Sequence, residues 1–487
     1  MKILERNNKH NNYYNLDVAF SKKLLYTVWI LFQIGIFLYN CNVLLHNDDL
    51  SNTISKLNYS FLISRSSALL ININFMLLFI FVNKGIVSFL CNLISINNYY
   101  HIAIFSYIIF FSIIHVVSHI VNFYYLTLSE NDIRTLLKTP TSITGILLVF
   151  SFIVIYIVSF KSIRTSRYEL FLLLHHVLCA GICICLLVHS LSCFFHTNNG
   201  VCLESTFWKF ILGPVVLLVL ERIYREYIGN QHTVFINAKK HSHNCTEIEL
   251  YKPCFEFKSG QWVLLNCPQI SRFQWHPFTI TSNSIEHGNV QIFLKERGEW
   301  TRKLSELLLK NKFYKNNINL KVSIPYGCSY NIISRYRTVV LIAGGIGITS
   351  FMSLLKTLPC KLGHGNKDVY LKKVHLHWMC KNAYEFDCFI IELHKIKSNL
   401  EAYGNLLELN LYITGPNKVH RRNNIYPPSI DFINKRPDFN NIFEQLQIND
   451  NYIKVIVCGS RELSNDIYKI KSKYGNKLCI KNCDYFY

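Results

Sequence analysis

Long apolar runs occupy the first 225 residues of the chain and limit what it can fold into. Half of the 487 residues are hydrophobic and only 17% are charged, which is unusual for a soluble protein. A helix of about 20 apolar residues is long enough to cross a bilayer. The sequence therefore predicts an α-helical membrane bundle of six transmembrane helices, near residues 24–45, 61–83, 101–126, 143–160, 170–195 and 207–221.

Basic residues between these runs predict the orientation of the bundle. Lysines and arginines follow the second, fourth and sixth runs, at Lys84, at 161–167 and at 222–225. Such residues concentrate in the loops that stay in the cytoplasm. The chain is thus expected to be a multi-pass protein of the lipid bilayer, with the N-terminal tail 1–23 and everything after the sixth run in the cytosol.

The formal net charge of +21 at pH 7 raises the question of a nucleic-acid partner. Proteins that bind nucleic acids concentrate Lys and Arg on one face or along one stripe. Here the basic residues are spread along the whole chain among Asn, Ile and Tyr. We therefore predict that no nucleic acid is bound.

Four histidines on two of the apolar runs carry the first chemical signal. His101 and His115 lie 14 residues apart, close to four helical turns, so they are expected to share a helix face about 21 Å apart. His176 and His189, 13 residues apart, are expected to do nearly the same. The neighbouring His175, which is 14 residues from His189, is the alternative to His176.

Two such helices side by side would form two bis-histidine sites stacked across the membrane, which is the ligation that two low-spin haems need. Each histidine alone could equally be a hydrogen-bonded polar residue inside a helix bundle. Two matched pairs favour ligands, because ionisable groups at membrane depth are costly and usually functional. In the predicted orientation, His101 and His176 belong to an inner haem, and His115 and His189 belong to an outer one.

The second half of the chain has a different pattern. After about Arg225 it shows short β-rich runs broken by Gly, Pro and Asn, which are typical of an antiparallel barrel. From about Tyr336 strands alternate with helices, as in an α/β domain with a mainly parallel sheet. Gly344, Gly345 and Gly347 follow the strand VVLIA and open a helix, whose free N–H groups could hold a pyrophosphate. A tight turn without a ligand is the alternative.

Together these motifs resemble the NADPH oxidase and ferric reductase superfamily over nearly the whole chain. The resemblance makes the four histidines haem ligands and the run HPFTITS a flavin motif, and it implies FAD, NADPH and two b-type haems as cofactors. It implies a haem-binding bundle over residues 24–225. It also implies a cytosolic ferredoxin-NADP reductase-like module, with an antiparallel β-barrel FAD domain over 226–333 and an α/β NADPH-binding domain over 334–487.

The resemblance also assigns cofactor contacts to individual residues. For FAD these are His276, Pro277, Phe278, Thr279, Thr281, Ser282, Trp300 and Thr301, with Tyr487 covering the flavin. For NADPH they are Gly344, Gly345, Gly347, Thr349, Lys381, Arg436, Cys458 and Gly459. Lys381 and Arg436 are the cations expected at the 2′-phosphate.

Within the superfamily the membrane half is more similar to the oxidases. That similarity places Arg65 and His119 near the outer haem, where dioxygen would be reduced and a cation would stabilise superoxide as it forms. The alternative for Arg65 is an arginine that extends its charge to the membrane surface. The expected function is electron transfer from cytosolic NADPH through FAD and the haems to O2. A ferric-chelate reductase with an Fe(III) chelate as acceptor is the alternative.

A protein of a different class would also fit part of the pattern. A non-enzymatic haem-binding membrane protein, or a transporter with a decayed reductase tail, would keep the apolar runs and the histidines. The intact flavin motif and glycine turn argue against decay. Association with a membrane partner subunit or as a homo-oligomer is compatible with the sequence.

Overall fold

The described part of the chain forms two compact units, which meet in the sequence between Arg222 and Ile223. The computed structural model describes residues 24, 26–94, 99–128, 134, 137–192, 195, 197–203, 206–242, 244–310, 318–363, 370–416, 431–447, 452–474 and 477–482. The first unit is helical, and the β-strands described lie in the second. The second unit also includes a short stretch of the N-terminal half, from Ser88 to the end of a short helix there.

The N-terminal half of the chain consists of helices, most of them long and apolar. They are α1 (Tyr26–Leu45), α2 (Ser51–Val82), α3 (Lys84–Ile94), α4 (Tyr99–Leu128), α5 (Pro140–Val158), α6 (Lys161–Ser166), α7 (Tyr168–Leu191) and α8 (Phe207–Asn230). Among the described residues, α1, α2, α4, α5 and α7 are long and apolar enough to cross a membrane. The predicted membrane bundle is confirmed to this extent.

The sixth predicted span lies in α8, whose composition differs from that of the other five. Lys209, Glu221 and Arg222 add charge, and Pro214 lies inside the helix. The membrane-spanning role of 207–221 therefore stays a prediction. The second span also differs, because α2 begins at Ser51, well before residue 61, and bends at Asn58, where φ is 53°.

Apolar side chains lie both in the core of the helical unit and on its exposed surface. Leu70, Phe75 and Ile108 are buried in a shared apolar core. Phe110 and Ile113, on the same helix as Ile108, are more than half exposed. A helix that is apolar all round suits a lipid surrounding, in which the backbone hydrogen bonds are made within each helix.

Two three-stranded antiparallel sheets begin the second unit. The first contains β1 (Val234–His241), β2 (Cys245–Tyr251) and β5 (Asn289–Lys295) in that order. The second has the order β4 (His276–Thr279), β3 (Trp262–Asn266), β6 (Lys321–Val322), and α9 (Glu299–Lys310) packs into the same apolar core. A bridge between Ile280 and Ile292 joins the two sheets. Their closure into the predicted barrel stays a prediction.

A six-stranded parallel sheet forms the rest of the unit. Its strands are β7 (Thr338–Gly344), β8 (Lys373–Cys380), β9 (Leu407–Ile413), β10 (Phe432–Ile433), β11 (Ile453–Cys458) and β12 (Leu478–Asn482), in the order β10-β9-β8-β7-β11-β12. The helices α10 (Thr349–Gly363), α11 (Ile390–Glu401), α12 (Phe439–Gln447) and α13 (Arg461–Tyr474) connect them. The strand order reverses between β7 and β11, and ligands of such sheets bind at the carboxyl ends of the strands at this switch point.

Candidate functional site

Two histidine rings, one from α4 and one from α7, face each other inside the helical unit. The ring centroids of His115 and His189 are 6.3 Å apart. Two imidazoles bonded to opposite sides of one metal ion, each at about 2 Å, have centroids roughly 6 Å apart. The separation therefore fits a haem iron between the two rings, as predicted for the outer haem.

Hydrogen bonds fix which nitrogen of each ring is available to a metal. His115 Nδ1 lies 2.9 Å from the carbonyl oxygen of Ser64, and His189 Nδ1 lies 2.9 Å from that of Thr141. A carbonyl oxygen only accepts, so Nδ1 is the donor in both rings and Nε2 keeps its lone pair. Metal-ligating histidines are commonly oriented in this way.

The second pair contains His175 in place of the predicted His176. The ring centroids of His101 and His175 are 6.4 Å apart, nearly the separation in the first pair. His176 is exposed, and its Nδ1 lies 2.7 Å from the carbonyl oxygen of Leu172 on its own helix. At about 100° per residue, 14 residues return a side chain to within roughly 40° of its starting direction, whereas 13 leave it roughly 140° away. His175 therefore shares a face with His189, and it replaces His176 as the candidate ligand.

The two pairs are stacked along the same two helices. Fourteen residues separate the pairs on α4 and on α7, which is about 21 Å of helix. Within the described residues no group of three or more His, Cys, Asp or Glu could hold a metal ion. Haem needs only two protein ligands, so the side chains present fit two bis-histidine haems.

Arg65 and His119, the residues predicted at the acceptor site, lie close to the outer pair. The ring centroid of His119 is 4.5 Å from that of His115 and 5.9 Å from that of Phe195. Arg65, on α2, is partly buried and within electrostatic range of both histidines. A cation and a second imidazole thus lie near His115, and the aromatic ring of Phe195 lies against that second imidazole.

The first four predicted flavin residues form the half-exposed strand β4, which pairs antiparallel with β3. His276 stacks on Trp300 with ring centroids 4.0 Å apart, and Trp300 is buried at the start of α9. The hydroxyl of Thr301 accepts a hydrogen bond from the backbone N–H of Gly298 at 3.1 Å. Trp300 therefore supports His276, and Thr301 closes the turn before α9.

The hydroxyl groups of Thr281 and Ser282, which are predicted at the flavin, donate hydrogen bonds within the protein. Thr281 Oγ1 donates to the carbonyl of Gln291 at 3.0 Å, and Ser282 Oγ donates to that of Asn289 at 2.8 Å. Both residues are buried, so these bonds fasten the chain after β4 to β5. Their contact with FAD stays a prediction. Tyr487 lies outside the described residues.

The glycine turn lies at the switch point of the parallel sheet. Gly345–Ile348 form one 3-10 turn between β7 and α10. A Cβ on Gly347 would lie 2.4 Å from the carbonyl oxygen of Cys458, the last residue of β11. A Cβ on Gly344 would lie 3.4 Å from the Cα of Gly459. The two predicted nucleotide segments thus meet where such sheets bind dinucleotides.

Two side chains hold the glycine turn in shape. Trp378 in β8 is only 1% exposed and donates its indole N–H to the carbonyl of Gly345 at 2.9 Å. Thr349 donates its hydroxyl to the carbonyl of Ile346 at 2.9 Å. Trp378 is not among the predicted site residues, because a tryptophan in an apolar strand has the sequence pattern of an ordinary core residue.

Lys381 and Arg436, the cations predicted at the 2′-phosphate, are both exposed. Lys381 directly follows β8. Arg436 Nη2 lies 3.1 Å from Oδ2 of Asp466, so a phosphate would compete with this carboxylate. The nearby His377 is a poor phosphate ligand, because burial lowers its pKa to about 4 and leaves it neutral at physiological pH.

Three family models match successive parts of the chain. They are "Ferric reductase like transmembrane component" over 67–186, "FAD-binding domain" over 231–330 and "Ferric reductase NAD binding domain" over 336–472. A superoxide-generating NADPH oxidase heavy chain of Dictyostelium discoideum is 27% identical over 93% of this chain and 94% of its own length. "NADPH oxidase 3" of Homo sapiens is 26% identical over 85% of this chain and 88% of its own length.

The chain belongs to the NADPH oxidase and ferric reductase superfamily. The predicted resemblance is therefore confirmed, and the chain is a membrane oxidoreductase with FAD-binding and NADP-binding domains. The transmembrane family model includes His101, His115, His175 and His176 and ends before His189. The FAD model includes β4 and Trp300, and the NAD model includes the glycine turn and β11.

We expect the double substitution Lys381→Ala/Arg436→Ala to remove most of the preference for NADPH over NADH. A hydrogen bond to a charged group is worth about 1.5–3 kcal/mol, so losing two would lower the NADPH/NADH ratio of kcat/KM on the order of 100-fold or more. The ratio is measured from flavin reduction with each nucleotide. Lys395→Ala, at an exposed lysine of α11, should leave it unchanged. An unchanged ratio in the double variant would exclude both residues from phosphate recognition.

Proposed function

We propose that this oxidoreductase carries electrons from cytosolic NADPH through FAD and two b-type haems to O2 on the opposite side of the membrane, where superoxide forms. The stacked histidine pairs carry the proposal, because His101 with His175 and His115 with His189 have nearly equal separations along the same two helices. Bound FAD takes two electrons together from NADPH and gives them up singly, and each haem carries one.

The chain's own residues supply the positions that this chemistry needs. At the glycine turn and the end of β11, the glycines leave the backbone free of side chains, so NADPH can approach it closely at the switch point. The half-exposed strand β4 offers FAD an edge supported by Trp300. The two histidines of each pair would hold one haem iron, and the bound haem would supply single-electron transfer to an acceptor that does not bind the metal.

Arg65 and His119 support O2 as the acceptor. Negative charge develops on O2 as it is reduced, and a preorganised cation or N–H donor in a water-poor site stabilises such charge strongly. His119 is in ring contact with His115, and Arg65 is within electrostatic range of it. The Dictyostelium discoideum relative is named as superoxide-generating, which agrees with this acceptor.

A ferric-chelate reductase is the second candidate, because the family model over 67–186 is described as ferric reductase like. An iron chelate is much larger than O2 and would take its electron at the outer surface. Arg65 and His119 would then have little influence on the reaction. The two candidates therefore differ in how they respond to substitution of these residues.

Arg65→Ala and His119→Ala are each expected to slow NADPH-driven superoxide formation by about 100-fold, as loss of one positioned donor does elsewhere. Haem content and anaerobic haem reduction should stay unchanged, because neither residue is a ligand. Arg65→Lys keeps a cation and should retain more activity than Arg65→Ala. Superoxide is measured as the cytochrome c reduction that superoxide dismutase suppresses.

The same purified protein is assayed in parallel with an Fe(III) chelate. An oxidase forms superoxide faster than it reduces the chelate, and the alanine variants lower that ratio. Little O2 consumption by the unsubstituted protein, together with iron reduction that neither substitution alters, would instead identify a ferric reductase.

A further inference from the structure

The last two turns of α8 are tied to the strand that carries the flavin residues. From Ile223 onward α8 belongs to the reductase unit. Arg225 and Gly229 are buried there one turn apart, with Glu226 beside them. They meet Trp275, the residue that directly precedes β4.

Trp275 makes three kinds of contact with this helix end. Its indole N–H donates to Oε1 of Glu226 at 3.0 Å. The guanidinium of Arg225 lies over its ring, 5.4 Å from the centroid, in a cation–π contact. The ring edge lies against Gly229, where an added Cβ would come within 2.7 Å of Cη2. Only a glycine at this position leaves room for the ring.

Two lysines add to this contact. Lys321 Nζ lies 3.0 Å from Oε2 of Glu226, so both carboxylate oxygens are engaged. Lys252 is 3% exposed and donates from Nζ to the carbonyls of Ile228 and Val322, both at 2.7 Å. Burial lowers the pKa of Lys252 to about 8, which leaves it mainly protonated at neutral pH. The carbonyl of Ile228 belongs to the last helical turn, where carbonyls lack partners within the helix and favour a cation.

These contacts converge on one sheet. Lys321 and Val322 form β6, β6 pairs with β3, and β3 pairs with β4. Trp275 is joined to β4 by the next peptide bond. Both outer strands of the β4-β3-β6 sheet are therefore fixed to the end of the same helix. We call this set the helix-end clamp: Arg225, Glu226, Gly229, Lys252, Trp275 and Lys321.

We propose that Trp275 and Glu226 are positioning residues, which hold the flavin strand against the end of α8 and so set where FAD stands when electrons leave the reductase module. The inference rests on the proposed function, in which those electrons pass to a haem. A misplacement of about 1 Å can cost on the order of 100-fold in the rate of a positioned reaction. The clamp acts on the strand, and nucleotide binding at the glycine turn is independent of it.

Gly229→Ala tests the clamp by adding one methyl group beneath Trp275. Gly213→Ala is the matched control, since it makes the same change on the same helix where a Cβ would meet nothing within 4 Å. Alanine favours a helix over glycine, so neither substitution weakens α8 itself. Trp275→Phe is the second variant, because it removes the indole N–H and keeps an aromatic ring.

Four quantities are measured on the full-length purified protein: bound FAD, the rate of flavin reduction by NADPH, the rate of anaerobic haem reduction, and amide hydrogen exchange over 223–230 and 275–279. We expect Gly229→Ala and Trp275→Phe to slow haem reduction about tenfold or more. Amide exchange in both segments should become faster, because the contact that protects them is loosened. Bound FAD and flavin reduction should equal those of Gly213→Ala.

Haem reduction and amide exchange equal to the Gly213→Ala control in both variants would overturn the inference. A parallel loss of bound FAD and flavin reduction would overturn it too, since the clamp would then serve flavin binding. If NADPH fails to reduce haem in the unsubstituted protein, the proposed function is wrong. The exchange rates of 275–279 would still decide whether the clamp holds the strand.

Discussion

Replacement of His175 by alanine is expected to remove one of the two haems, whereas replacement of His176 should leave both in place. His175 faces His101 at 6.4 Å between ring centroids, while His176 is exposed on the outside of α7. A b-type haem without one of its two axial ligands has lost half of its protein bonds, so haem per protein should fall from two to about one. Haem is counted by extraction and by the reduced-minus-oxidised spectrum.

Alanine substitutions in the outer pair, His115 and His189, are expected to have the corresponding effect on the other haem. His115→Ala or His189→Ala should remove the other haem, and the double variant His115→Ala/His175→Ala should contain none. His176→Ala is the control for an alanine at a histidine on the same helix. Normal haem content in His175→Ala, together with a lost haem in His176→Ala, would contradict the pairing by ring separation and restore the ligand predicted from sequence.

Gly347→Ala is expected to slow flavin reduction by NADPH on the order of 100-fold. The added Cβ would lie 2.4 Å from the carbonyl oxygen of Cys458, which is backbone inside a six-stranded sheet and cannot swing away as a side chain could. The clash is removed only if the ends of β7 and β11 move apart. Overpacking of this kind costs about 1–3 kcal/mol of stability. A displacement of about 1 Å at the nucleotide site would lower the rate on the order of 100-fold.

Gly363→Ala is the control for this substitution. Gly363 ends α10 in the same domain, and a Cβ there would come no closer than 3.4 Å to the hydroxyl of Tyr403. Flavin reduction is followed by stopped flow, with bound FAD and the dithionite-reduced haem spectrum as measures of folding. Unimpaired flavin reduction in Gly347→Ala would mean that the nucleotide is held elsewhere.

Periodicity in the sequence was sufficient to predict most of the two histidine pairs. His101 and His115 could be predicted because a fixed rotation per residue places side chains 14 apart on one face of a helix, whereas His189 was predicted from a spacing of 13 to His176. The choice between His175 and His176 depends on the same rotation, which separates adjacent residues by about 100°. Counting 13 residues as nearly four turns neglected that rotation, and the ring separation of His101 and His175 shows its effect.

Contacts between distant segments could not be predicted in this way. Trp275 meets Glu226 across 49 residues, and Trp378 meets Gly345 across 33, so neither pair has a local spacing to reveal it. The hydroxyls of Thr281 and Ser282 have partners on β5, and only the folded chain shows that these partners occupy them. The glycine turn was predictable because strand, turn and helix are adjacent in the sequence.

The electron path is tested by mixing the oxygen-free purified protein with NADPH and then admitting O2. We predict that NADPH reduces the flavin and both bis-histidine haems, and that O2 reoxidises both haems while superoxide forms. Flavin that is reduced while both haems stay oxidised, or reduced haems that O2 leaves unchanged, would contradict the path from NADPH to O2.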